Sequence, residues 1–199
     1  MLNKIAKHFA EFLVQKTQSG NQKEEIYVYG LELILSTCAG FFSILMLSAL
    51  LKEVLSGIVF ICFFAPLRMF VGGYHADTYR KCFLISNISY LIVLGMKEMI
   101  WKRISVTSLF VLLVIAAVYI LGKAPIISDN QYISKDKQLR SKKIAKIILC
   151  IQVLANSCLV NIYRELMCMA VLSVCLVALF MLITDEQVTV KKKKGEFGV

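Results

Sequence analysis

The stretch RMFVGGYHADTYRKC, from Arg68 to Cys82, brings together the residue types that thiolate chemistry needs. His75 supplies a base and Cys82 a soft nucleophile. Arg68, Arg80 and Lys81 surround the pair with positive charge, which favours thiolate over thiol. Gly72 and Gly73 admit backbone conformations that other residues avoid, and they let a second chain approach closely. From these residues alone two readings stand: an ordinary connection between apolar segments, and a His–Cys reaction centre.

Geometry sets a condition on the second reading. Seven residues of straight helix rise about 10.5 Å while turning nearly two circles, so His75 and Cys82 would share a face without touching. A base has to come within about 3 Å of its nucleophile, or work through a water. The pair therefore requires an irregular backbone through Gly72 to Ala76, followed by Asp77 or Thr78 as the N-cap of a helix. Cys82 then lies within about one turn of that helix start, where the dipole favours an anion. With no second histidine and no CxxC nearby, the stretch falls short of the three or four ligands of a metal site, so neither a metal nor a cofactor is expected.

The elements that must position this stretch are apolar. Of 199 residues 58% are hydrophobic and only two are proline, with a mean hydropathy of +0.72. Reading apolar runs between charged breaks predicts an all-α membrane protein with six spans: Leu31 to Leu51, Val54 to Phe70, Phe83 to Met96, Ile104 to Gly122, Ile147 to Tyr163 and Leu166 to Ile183. The third is short. The runs lack the alternation of an outer-membrane barrel strand. Six of the seven cysteines, all but Cys82, fall inside apolar segments, where cysteine packs as a small hydrophobe, so no disulfide framework is expected.

Residues 1–25 contain no continuous apolar core of a cleavable signal peptide. Leu2, Ile5, Phe9, Phe12 and Leu13 recur at helical spacing opposite Lys4, Lys7, His8 and Glu11, which predicts an amphipathic helix lying in the interface. The whole chain, 1–199, is then one integral membrane domain: this segment, a core over 31–183 holding the segment 68–82, and a basic tail over 184–199.

An even number of spans puts both termini on one side, and basic residues choose it. The N-terminal segment, the connections after the second and fourth spans, and the tail carry 18 of the 23 lysines and arginines. Both termini and the stretch 68–82 are therefore expected in the cytoplasm, beneath the cell membrane. The formal net charge of +10 is explained by this orientation and by attraction to anionic membrane lipid, and no nucleic-acid partner is expected.

The pattern RxxxGGYHAxxxxxC, preceded by an apolar span in a basic chain of this length, resembles the accessory gene regulator protein B (AgrB) family of Gram-positive bacteria. The resemblance implies a membrane-embedded cysteine endopeptidase that processes a short AgrD-type propeptide, the precursor of an autoinducing quorum-sensing peptide. It makes His75 and Cys82 the catalytic pair and links Arg68 and Gly73 to processing. It implies an acyl-enzyme thioester, closed by an internal cysteine or serine to a thiolactone or lactone ring, and it points to a homodimer. Backbone amides around Gly72 and Gly73, or at the helix start, are candidates for the oxyanion hole. Lys142, Lys143 and Lys146 are candidates for docking an acidic propeptide tail, and Arg80 and Lys81 for supporting contacts.

Two other readings compete with this one. A small transporter or peptide exporter would need polar groups along a mid-membrane path, where the sequence offers Glu32, Asn87, Gln152 and Asn156. A scaffold without chemistry would tolerate loss of Cys82.

Overall fold

The computed structural model describes residues 24–71, 79–125 and 135–196, and every regular element among them is an α-helix. In chain order these are α1 Glu24–Leu50, α2 Val54–Val71, α3 Tyr79–Ile100, α4 Val106–Lys123, α5 Lys135–Ile162 and α6 Arg164–Glu196. Each holds a stretch of 18 to 24 residues apolar enough to cross a membrane. Hydrocarbon offers no partner to a backbone N–H or C=O, so helices that satisfy their own backbones are the form these runs must take. The chain is a multi-pass membrane protein. The amphipathic segment expected over 1–25 lies almost wholly outside the described residues.

Four elements are longer than apolarity alone predicts, α1 because it begins at Glu24. α3 includes Arg80 and Lys81 at its start and Lys97 and Glu98 near its end. α5 begins at Lys135, and residues 184–196 of the expected tail continue α6. Lysine and arginine are good helix formers, and long charged side chains at helix ends reach out of the hydrocarbon.

α6 is the hub of the bundle, packing against α2, α3, α4 and α5. Met167, Ala170, Val171, Val174, Val177, Ala178 and Met181 are buried at the three- and four-residue spacing of one helix face. Of its apolar stretch 56% is inside the bundle, against 18% for α1, which packs on α2 and α3. α3 and α5 each meet α2 and α6 rather than each other.

Side-chain contacts show which helix ends lie together. Lys97, late in α3, meets Glu53 just ahead of α2 and Glu165 at the start of α6. At the opposite end Arg68, late in α2, meets Phe180, late in α6, and Lys123 at the end of α4 pairs with Asp185 of α6 at 2.8 Å. Cys82 belongs to this second end.

The turn from α1 to α2 is a Schellman motif on a non-glycine residue. Lys52 takes φ 60°, with Lys52 N–H donating to Ala49 O at 3.1 Å and Glu53 N–H to Ser48 O at 2.7 Å. This tight reversal brings α1 onto α2 so closely that a Cβ on Gly57 would overlap the side chain of Ser48. Gly57 is required there for approach rather than for backbone freedom.

Candidate functional site

Cys82 lies on α3, three residues after Tyr79, and is half-buried. Arg80 and Lys81 beside it are exposed. Gly72, Gly73 and His75, and the N-cap candidates Asp77 and Thr78, lie outside the described residues. The chain reverses direction between Val71 and Tyr79, because α2 and α3 run antiparallel between the Glu53–Lys97 and Arg68–Ser86 contacts.

Arg68 approaches Cys82 from α2. Its guanidinium lies 5.3 Å from the Phe64 ring centroid and 5.2 Å from that of Phe180, held between two aromatic faces of different helices. The rings themselves meet edge to face at 6.1 Å. Arg68 Nη1 stands 3.5 Å from Ser86 Oγ, the outer limit of a hydrogen bond. Ser86 follows Cys82 by one helical turn on the same face of α3, so this contact brings the guanidinium to the face of α3 that carries Cys82. The arrangement can hold a carbonyl oxygen or carboxylate near Cys82.

Lys142, Lys143 and Lys146 are exposed on α5. Lys142 and Lys146 line a small cavity of about 160 Å³ with Ile120, Leu121, Ala124 and Ala145, between α5 and the end of α4. They lie at the Cys82 end of the bundle, but α2 and α6 stand between them and α3. The structure therefore separates the two groups of candidate residues rather than bringing them together.

Two of the polar residues that a transport path would use, Asn87 and Gln152, are engaged between helices. Asn87 Oδ1 accepts from Ser43 Oγ at 2.9 Å and its Nδ2 donates to Phe83 O at 2.8 Å, joining α1 to α3. Gln152 Nε2 donates to Phe63 O at 2.8 Å, joining α5 to α2.

Sequence reasoning missed a second polar centre at the far end of the bundle. Lys97 is fully buried, with its Nζ 3.0 Å from Glu53 Oε2, 2.7 Å from Glu98 Oε1 and 2.5 Å from Glu165 Oε1, and 3.4 Å from Ser56 Oγ. The three carboxylates lie within 4.8 Å of one another, and the ammonium fills the place a metal ion would take. One signal was available: glutamates stand at the first and third helix connections of that end and beside Lys97 itself.

Six membrane helices with Cys82 and an aromatic-clamped arginine brought to the same end define a multi-pass membrane protein with a candidate site at that end. The family model described as Accessory gene regulator B matches residues 6–184. The chain belongs to the AgrB family, which places it in the processing of accessory gene regulator quorum-sensing peptides with an AgrD-type propeptide as partner. It is 26% identical over 165 residues to AgrB-like protein 2 of Clostridium perfringens (strain 13 / Type A), covering 78% of this chain and 77% of that one. An AgrB-like protein of Clostridium perfringens (strain SM101 / Type A) is 23% identical over 186 residues, 88% of this chain and 87% of the relative. No solved structure matches.

Proposed function

We propose that the chain is a membrane-embedded cysteine endopeptidase that cleaves the C-terminal region from an AgrD-type propeptide and promotes closure of the remainder into a thiolactone or lactone. The observation that supports this best is Cys82 near the described start of α3, half-buried and one turn from Ser86, which the clamped Arg68 reaches. His75 takes the thiol proton and the Cys82 sulfur attacks the scissile carbonyl. His75 then gives that proton to the leaving amine, and the N-terminal part of the propeptide stays on Cys82 as a thioester. A cysteine or serine of the bound propeptide attacks the thioester, closes the ring and returns the proton to the Cys82 sulfur. Amides of Gly72 and Gly73 or of the α3 start hold the oxyanion.

Thioester and thiolactone are close in energy, so the site has to exclude water long enough for the internal nucleophile to win. Apolar walls at the bundle end serve this purpose. The site faces the cytoplasm beneath the cell membrane, where a newly made propeptide is met; the distribution of basic residues supports this orientation. Lys142, Lys143 and Lys146 dock the acidic tail at a distance from Cys82, so the propeptide lies across α2 or α6. Reversing these three charges is expected to slow processing of an acidic-tailed propeptide far more than of a neutral one; equal effects would remove their role.

Co-expression with AgrD-type propeptides and mass spectrometry of the products tests the assignment. Processed peptide is expected with the unaltered chain and not with Cys82→Ala or His75→Ala. An export-only protein would leave the propeptide uncut in all three.

A further inference from the structure

Pro66 stands inside α2, on the way to Arg68. It has no N–H to donate, and its ring crowds the carbonyl four residues earlier, which is that of Cys62. In a membrane a carbonyl freed in this way finds no water and must take a donor from a neighbouring helix. The donor here is Gln152 of α5, whose Nε2 lies 2.8 Å from Phe63 O and 3.4 Å from Cys62 O. Gln152 is buried, and its own Oε1 has no hydrogen-bond partner among the described residues. An apolar residue of the same shape would avoid that orphaned oxygen but would leave the carbonyls beside Pro66 without their interhelical donor. Its amide donor does something an apolar residue cannot.

Past Pro66, α2 runs through Leu67, which is fully buried, to Arg68 and Val71. Arg68 folds back over Phe64 from the turn before the proline, so the guanidinium position depends on how the two halves of α2 meet at Pro66. We propose that Gln152 is a positioning residue for the Cys82 end: it ties the backbone carbonyls beside Pro66 to α5 and fixes the direction in which the last turn of α2 presents Arg68 to Cys82. The functional part of this inference rests on the peptidase reading above; the structural part, the Gln152–Pro66 link, does not.

A double-mutant cycle tests both parts with the full chain in membranes or detergent: unaltered, Gln152→Met, Pro66→Ala and the double variant. In Pro66→Ala the new N–H satisfies Cys62 O within α2, and the Gln152 amide keeps only its bond to Phe63 O, so its contribution shrinks. Gln152→Met is expected to slow the maximal rate of Cys82 acylation by a synthetic AgrD-type propeptide about tenfold, with little change in the half-saturating propeptide concentration. In the Pro66→Ala background the same substitution should change that rate less than twofold. The thermal unfolding midpoint should show the same pattern, falling more with Gln152→Met when Pro66 is present than when it is replaced. Additive midpoints would overturn the Gln152–Pro66 link whether or not the chain cuts a propeptide. Coupled midpoints with additive rates, or an unaffected rate in Gln152→Met, would overturn the positioning role. If the unaltered chain forms no acyl-enzyme, the peptidase reading and the positioning role fall together, and the midpoints still decide the link.

Discussion

Arg68 on α2 reaches Ser86, one helical turn after Cys82 on the same face of α3, with the guanidinium held between Phe64 and Phe180. A fixed cation near the reacting carbonyl stabilises the oxygen charge that develops after attack. Replacing Arg68 by glutamine should slow acylation of Cys82 tenfold or more, about 1.4 kcal/mol of barrier per factor of ten. Lysine should fall between, because it keeps the charge but loses the planar group that fits between two rings. Single-turnover rates of the three proteins check this; equal rates for arginine and glutamine would separate Arg68 from the chemistry.

The Lys97 cage holds α3 to the start of α2 and of α6 at the far end, and its parts should differ in weight. Lys97→Met leaves three carboxylates close together without their cation, which is expected to cost about 3–5 kcal/mol. Glu98 is the most exposed of the three, and Glu98→Gln should cost least. Thermal unfolding of the purified variants gives the order. A Lys97→Met protein as stable as the unaltered one would show that the cage contributes nothing.

Acid should weaken the same end. Burial pushes the Glu53 carboxyl up, but hydrogen bonds from Ser56 and Lys97, with the Lys97 charge, outweigh it and leave the pKa below its ordinary 4.5. A carboxyl lowered on folding contributes stability that is present above its unfolded pKa and lost as pH falls through the folded one. The unfolding midpoint should therefore decline below about pH 4.5, and Glu53→Gln should flatten part of that decline. Identical acid limbs in the two proteins would contradict the assignment.

The α1–α2 turn offers two substitutions of opposite sign. Lys52→Gly relieves a left-handed conformation on a residue with a Cβ and should raise stability by up to about 1 kcal/mol. Gly57→Ala places a Cβ into Ser48 and should lower it by about 1–3 kcal/mol. Unfolding midpoints in detergent read both; equal shifts of the same sign would mean the turn is not as closely packed as described.

Apolar runs made the six helices and their order legible, because hydrocarbon leaves a spanning chain almost no other form. Their ends were less so. Lys97 breaks the apolar run after Met96, yet α3 passes through it because Glu53 and Glu165, distant in sequence, neutralise it. Asp77, Thr78 and the glycines predict a helix start ahead of Cys82 and lie outside the described residues, while Cys82 itself lies on α3. The clamp on Arg68 was not legible, since it needs Phe180 from the last helix, and no local pattern links residues so far apart. The link between Gln152 and Pro66 likewise joins α5 to α2.

The central claim is that Cys82 carries the propeptide as a thioester. Its most direct test is the intact mass of the chain purified after brief exposure to an AgrD-type propeptide. The account predicts added mass equal to the N-terminal propeptide fragment, located on Cys82, released by hydroxylamine and absent from Cys82→Ala and His75→Ala. Propeptide cleavage that continues in Cys82→Ala would contradict it.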